Sequence, residues 1–230
     1  VAENDEKGMK YPLLTLQSRF SHVVLADGDA PQHPIASQIL SHANQLVCCD
    51  RAARIAFARH LTPVAVVGDG DSIPEELRQH YGSIWHQIPE QDSNDLTKAT
   101  RWTMSLPSFI ESDDNTICYL GATGRREDHT IANISLLAYY LDEFNINPVM
   151  VTNHGWFVAC HGDSTLETYP RQQVSIFNFS CHQLSATGLK WKPWAFERLW
   201  CGSLNEALTD EVNFKADGTY LIFRTFDDCV

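Results

Sequence analysis

VAVVGDGDSIPEELRQHYGSIWHQIPEQDSND, residues Val64–Asp95, opens with an apolar run, Val64 to Val67. The run breaks at Gly68, and two carboxylates follow, Asp69 and Asp71. A second short strand-like run, Ser83 to Ile88, leads to Asp92 and Asp95 at the start of a helical pattern. If the two strands lie side by side, their carboxyl ends bring all four acids to one crevice, where open α/β sheets bind ligands. Such a cluster repels itself unless a cation sits in it. Mg²⁺ is the expected ion, because it takes oxygen ligands and arrives with phosphates.

Outward from this stretch the chain alternates. His22 to Ala26, Gln45 to Cys49 and Thr116 to Leu120 are strand-like apolar runs; Ile35 to Ala43, Ala52 to Arg59, Pro74 to His80, Leu96 to Leu106 and Arg126 to Leu141 have helical spacing. Strand and helix in turn predict an α/β domain with a doubly wound, largely parallel sheet over residues 1–147. Asp50 is placed to cap the helix after the second strand, and Ser93 to cap the helix after Asp92. Beyond Asn147 the pattern changes to short strand-like segments punctuated by Gly and Pro, which predicts an all-β sandwich domain over residues 148–230, with a small barrel as the alternative.

Composition narrows the function. The chain has 230 residues, 17 Lys plus Arg against 29 Asp plus Glu, and a net charge of -12. No basic stripe stands out, which argues against a nucleic-acid partner. No apolar stretch approaches the ~20 residues of a membrane-spanning helix. Seven scattered cysteines with no C-x-x-C pair predict a reduced, cytoplasmic protein. The polar start, VAENDEKGMKYP, lacks a signal-peptide pattern and reads as a frayed end.

Singly, each candidate has a plainer reading. Asp69-Gly70-Asp71 is also what a simple turn needs. Asp92 and Asp95 also complement a helix dipole, and Asp128 is a first-turn acid of the same kind. Gly121-Ala122-Thr123-Gly124 enters a helix with Arg125 and Arg126 beside it, a phosphate-binding arrangement or a close-packed turn with solvated arginines. Trp191 offers a face for a cation or packs in the sandwich with Trp194 and Trp200. No Walker loop, G-x-G-x-x-G, G-x-S-x-G or H-E-x-x-H occurs, and the histidines lack zinc-ligand spacing.

Jointly, Asp50 after a Cys-rich strand, GDGDS at Gly68–Ser72, QDSNDLTKA at Gln91–Ala99, GATGRREDHTIANI at Gly121–Ile134 and TGLKW at Thr187–Trp191 resemble the thiamine pyrophosphokinase family. The resemblance implies transfer of a pyrophosphoryl group from the co-substrate ATP to the hydroxyl of thiamine, with Mg²⁺, giving thiamine diphosphate and AMP. It also implies a homodimer with shared active sites. By motif, Asp69, Asp71 and Asp92 match metal-binding acids. Asp95, Asp128 and Asp50 match catalytic acids. Arg126, Gly121, Thr123 and Gly124 match the ATP-binding loop, and Thr187 and Trp191 match the thiamine-binding positions. The chain departs from the pattern at Asp50-Arg51-Ala52, where Asp-Gly-Gly is common; at Asn94, where threonine is usual; and at Arg125, where a glycine is common. Two other readings compete: a Mg²⁺-dependent nucleotide-sugar transferase or phosphohydrolase, and a non-catalytic thiamine or nucleotide sensor.

Overall fold

The computed structural model describes residues 8–71 and 73–226; Ser72 and the first seven residues, read above as a frayed end, lie outside the described residues. Packing divides the chain into two compact units. Strand β1 (Met9–Tyr11) belongs to the second unit. The first, Thr15–Leu136 with Ile146–Asn153, contains β2 (His22–Leu25), α1 (Pro34–Ser41), β3 (Gln45–Cys49), α2 (Ala53–Ala58), β4 (Ala65–Gly68), α3 (Glu75–His80) and β5 (Trp85–Gln87). It continues through α4 (Asp95–Met104), α5 (Pro107–Ile110), β6 (Thr116–Leu120), the opening turns of α6 (Glu127–Phe144), and β7 (Asn147–Val151).

These strands pair in parallel in the order β5-β4-β3-β2-β6-β7. The Val64 and Ser83 runs are therefore neighbours, with Val66 opposite Trp85 and Gly68 opposite Gln87. In β2 and β4 every residue is buried whichever way it points, so both faces are covered and the sequence reads as an unbroken apolar run. Cys48 and Cys49 point to opposite faces and are both buried for the same reason. Helix α4 packs across β2, β3 and β4. Its buried Thr100 and Thr103 return their hydroxyls to the carbonyls of Leu96 (2.7 Å) and Ala99 (2.8 Å), which makes polar residues tolerable on that face.

Two capping expectations are corrected. Asn94, not Ser93, caps α4, its Oδ1 accepting the Thr97 N–H at 3.0 Å; the Ser93 hydroxyl is taken by Glu90. Asp50 caps no helix: the chain turns there through a short 3₁₀ segment, Asp50–Ala52, and the carboxylate is buried against Gly68. A Cβ at Gly68 would stand 2.6 Å from the Asp50 Cβ, so this close approach requires glycine.

The second unit, the described parts of Val1–Leu14 and His154–Val230 with Leu137–Asn145, is strand-rich. One of its sheets has the order β1-β9-β13-β11, where β9 is Ser164–Glu167, β11 is Leu184–Thr187 and β13 is Glu211–Ala216. Antiparallel pairing also joins β8 (Gly155–His161), β14 (Thr219–Thr225), β10 (Gln173–Asn178) and β12 (Asn205–Glu206). The two layers meet through side chains: Tyr220 stacks near Phe214 (5.4 Å between centroids) and shares a 2.6 Å hydrogen bond with Ser164. Arg224, fully buried, donates to the carbonyls of Glu167 (2.6 Å) and Tyr11 (3.2 Å) and lies over the Trp156 ring.

Candidate active site

In the first unit the candidate residues gather beyond the carboxyl ends of β2, β3, β4 and β6. Asp69-Gly70-Asp71 follows β4 and is held by its carbonyls. Arg78 of α3 donates to the Gly70 carbonyl (2.5 Å), and Gln87 of β5 donates to that of Asp69 (2.8 Å). Gly70 takes φ 91°, which a side chain would resist. The Asp69 carboxylate accepts the Asp71 N–H at 3.1 Å, and this bond, ahead of other influences, holds its pKa below the ordinary value.

Asp95 begins α4 and approaches the same place. Burial raises its pKa most, and the negative charges of Asp69 and Asp71 raise it further. Lys98, one turn on, opposes the rise: its side chain is 2% exposed and its Nζ lies 3.6 Å from the Asp95 carboxylate. A lysine so buried stays beneath this acidic group because the carboxylates offset its desolvation. Asp92 is exposed, and its N–H is held by Glu90 (2.7 Å). Glu90 also fastens Ser93, and its pKa is lowered chiefly by the Ser93 hydroxyl.

The glycine-rich loop after β6 crosses the turn after β2. Gly28 N–H donates to the Gly121 carbonyl (2.6 Å), and Asp29 N–H to that of Thr123 (2.8 Å). Gly121 and Gly124 both have positive φ, 62° and 82°. The Gly124 N–H is taken by the Thr130 hydroxyl at 3.1 Å, so at that residue the loop presents its side of the turn rather than a free donor. Asn133 of α6 donates to the Ala122 carbonyl (2.8 Å) and accepts from Asn94 (3.0 Å), tying this loop to the start of α4.

The arginines beside the loop are each paired with a carboxylate while remaining exposed to solvent, Arg126 by 67% and Arg125 by 42%. Arg126 forks onto Asp128 at 3.1 and 2.6 Å, and that pairing holds the Asp128 carboxyl down at about 2. Arg125 reaches back to Asp27 at 2.9 Å, where Arg54 (2.8 Å) and Arg51 (3.5 Å) also converge.

Thr187 and Trp191 belong to the second unit. Thr187 ends β11 and is exposed, and a turn with Gly188 at φ 87° leads on to Trp191. The Trp191 backbone is clamped by Asn205, which accepts its N–H (3.1 Å) and donates to its carbonyl (2.7 Å). Its indole is 55% exposed, and Trp194 and Trp200 are exposed too, so the packing alternative fails within this unit; Trp156 is the buried tryptophan.

The donor set around Asp69, Asp71 and Asp95 is all carboxylate oxygen, which suits a hard dication. Among the described residues no three His, Cys, Asp or Glu side chains converge to hold an ion. Sequence reasoning passed over Lys98, Glu90, Asn133 and Arg54, and it did not connect Arg51 or Arg125 with Asp27. Lys98 lies three residues beyond Asp95, a helical-neighbour spacing that could have signalled the ion pair.

A parallel open sheet with acids beyond its strand ends, followed by a strand-rich unit, defines an α/β protein of the class that binds ligands at the carboxyl edge of the sheet. The family model "Thiamin pyrophosphokinase, catalytic domain" matches residues 36–150, half of the chain, and "Thiamin pyrophosphokinase, substrate-binding domain" matches residues 155–223. The chain belongs to the thiamin pyrophosphokinase family.

A Caenorhabditis elegans thiamin pyrophosphokinase 1 is 30% identical over 107 residues, 46% of this chain and 43% of that protein. A rice (Oryza sativa subsp. japonica) thiamine pyrophosphokinase 1 is 34% identical over 79 residues, 33% of this chain and 30% of that protein. The matched stretches thus span less than half of these relatives. Among solved structures, yeast thiamin pyrophosphokinase superposes with a TM-score of 0.74 at 18% identity, covering 98% of this chain and 94% of that one. The Bacillus subtilis protein gives 0.69 at 23% identity, covering 91% and 100%. At such identities the superpositions show the shared fold alone. The matches give no support to the sugar-transferase, phosphohydrolase or sensor readings.

Proposed function

We propose that this chain is a thiamine diphosphokinase, transferring the pyrophosphoryl group of ATP to the hydroxyl of thiamine to give thiamine diphosphate and AMP. The observation that carries the reading is the acidic group of Asp69, Asp71 and Asp95 over the buried Lys98, inside the stretch that matches the catalytic domain. The first unit is read as a doubly wound sheet. Its order turns outward in both directions from β2, which supports a ligand crevice between the ends of β2 and β6. The second is read as a sandwich that binds thiamine and forms the homodimer with shared sites.

The thiamine oxygen bonds to the β-phosphorus as the bridge between the α- and β-phosphates breaks, AMP departs, and the hydroxyl proton passes to a carboxylate. Asp95 is the better acceptor, because burial and its acidic neighbours raise its proton affinity while Arg126 holds Asp128 at about 2. Asp128 and Asp50 then orient substrate, and Arg126, with the Gly121–Thr123–Gly124 turn, engages the nucleotide. Asp69 and Asp71, with Asp92 on its exposed loop, would hold Mg²⁺ bound to the ATP phosphates. When bound, the ion neutralises phosphate charge as the β-phosphorus is attacked. The aromatic face of Trp191 suits the thiazolium cation of thiamine, and the approach of Lys190 Nζ to 4.8 Å from that ring supports a cation-binding face.

No helix among the described residues is long and apolar enough to cross a membrane. The described cysteines are all free, which supports a reducing, cytoplasmic setting.

The test is AMP release measured with ATP, thiamine and Mg²⁺ and with each omitted in turn; release without thiamine would sink the reading. Within that assay Asp71→Asn is expected to raise the Mg²⁺ concentration for half-maximal rate about tenfold, the loss of one charged ligand contact, and an unchanged Mg²⁺ requirement removes Asp71 from the metal. Trp191→Ala is expected to raise the KM for thiamine about two- to thirtyfold, as a lost cation–π contact of ~0.5–2 kcal/mol requires, while leaving that for ATP within twofold. Equal rises in both would assign Trp191 a structural role.

A further inference from the structure

Three arginines share one carboxylate at the ends of three adjacent strands. Asp27, after β2, receives Arg54 Nε on Oδ1 at 2.8 Å, and Arg125 and Arg51 on Oδ2 at 2.9 and 3.5 Å. Three guanidinium groups against one carboxylate leave the cluster cationic, and the carboxylate is only 18% exposed beneath them.

Two further features go beyond an ordinary surface ion pair. The NH2 nitrogen of Arg54 is buried and has no hydrogen-bond partner among the described residues, so a donor is left unfilled beside Asp27. Arg125 has φ 62°, the left-handed region in which a glycine would rest without strain. Backbone strain kept in order to present a charged side chain points to a ligand for that side chain. The neighbouring turns leave no room for adjustment: a Cβ at Gly28 would stand 2.2 Å from the Thr123 carbonyl oxygen, and one at Gly124 would stand 2.1 Å from the Asp29 carboxylate. The cluster is therefore held at a fixed place beside the glycine loop. Asp29, although close, bonds none of the three arginines among the described residues.

We infer that Asp27 is a stand-in for phosphate: in the free protein it holds Arg51, Arg54 and Arg125 together, and a polyphosphate chain displaces it and takes over the three guanidinium groups. The inference rests on the nucleotide-binding reading of this unit and adds to it. It assigns phosphate recognition to three side chains other than Arg126, and it makes the acid that gathers them a competitor of the ligand. Guanidinium suits the task, since its fork matches phosphate oxygens as well as carboxylate oxygens. Contact through arginine needs no metal bridge, so this part of the binding persists when divalent ions are removed.

The test is calorimetric titration of the full chain with inorganic tripolyphosphate in magnesium-free buffer containing a chelator. Asp27→Asn is expected to bind several-fold more tightly than the unaltered protein, because the competing charge is gone. Arg125→Gly is expected to bind about tenfold more weakly, as loss of one charge-assisted contact predicts, with a melting temperature equal to or above that of the parent because the strained position is relieved. Arg51→Ala should weaken binding in the same direction and by less, its contact with Asp27 being the longest. Unchanged or weaker binding by Asp27→Asn with the fold intact overturns the stand-in role. If that variant does not fold, Arg125→Gly and Arg51→Ala decide, and parental affinity in both overturns the inference. Turnover is not part of this readout. A protein that shows the tripolyphosphate pattern but makes no thiamine diphosphate contradicts the proposed reaction alone, and one that makes it with unchanged tripolyphosphate affinities contradicts this inference alone.

Discussion

Asp95→Asn lowers kcat by about 10²–10⁴-fold, the range typical of losing a positioned general base, while Asp128→Asn lowers it less than tenfold. Both residues are aspartates near the start of a helix, and their environments separate them. Burial, with the charges of Asp69 and Asp71, makes the Asp95 carboxyl hold its proton more tightly than usual, and Lys98 limits the effect. Asp128 lies in the open, doubly bonded to Arg126, and is held at about 2. The acceptor must be ionised to work. Activity therefore falls as pH drops through the Asp95 value, which burial raises from that of an ordinary aspartate, and Asp128, whose carboxyl is held down by Arg126, contributes no limb there. The check is a pH profile of kcat for the parent and both variants: the acidic limb disappears in Asp95→Asn and persists in Asp128→Asn. A larger loss in Asp128→Asn reverses the assignment.

Arg224→Ala destabilises the second unit by about 3–5 kcal/mol, the cost of leaving two buried carbonyls without their charge-assisted donor and of the cavity left by a large side chain. Arg224 is fully buried, and burial pushes its pKa down to about 10. It is retained because it binds three things at once: the Tyr11 carbonyl of β1, the Glu167 carbonyl of β9, and the face of Trp156 at 4.7 Å. Alanine strands both carbonyls and opens a void under the indole. Lysine restores the charge but not the planar fork over the ring, and recovers part of the loss. Methionine fills the volume and loses less than alanine. Urea unfolding followed by tryptophan fluorescence measures the series, and a loss below about 1 kcal/mol for alanine contradicts the role given to Arg224.

The central strands were legible because a parallel sheet covered on both faces needs unbroken apolar runs; Val64–Val67 and Thr116–Leu120 could be little else. What escaped was non-local or polar. Met9–Tyr11 is three residues long and exists because it pairs with Ser164–Leu166, more than a hundred and fifty residues away. Asn94 and Ser93 are equally good caps by chemistry. The choice between them is made elsewhere, by Glu90 taking the Ser93 hydroxyl and Asn133 accepting from Asn94. Asp50 has the look of a cap but is buried because Gly68 leaves it room.

The acids of the site could be read from spacing, since strand ends and helix starts are predictable places. The cations could not. Lys98 reads as a surface residue until α4 is seen to lie across β2, β3 and β4. Arg51 reads as a departure from the family pattern, Arg125 as that and as an arginine beside the glycine loop, and Asp27 as part of a turn or of a second D-x-D; that both arginines meet Asp27 is visible only in the structure.

The central claim is that two phosphates leave ATP together. Incubation with thiamine, Mg²⁺ and ATP labelled at the β-phosphate tests it most directly. The account predicts the label in thiamine diphosphate, with AMP formed in equal amount and only in the complete mixture. Label retained in ADP beside thiamine monophosphate would show single phosphoryl transfer and contradict it, as would the absence of any thiamine product.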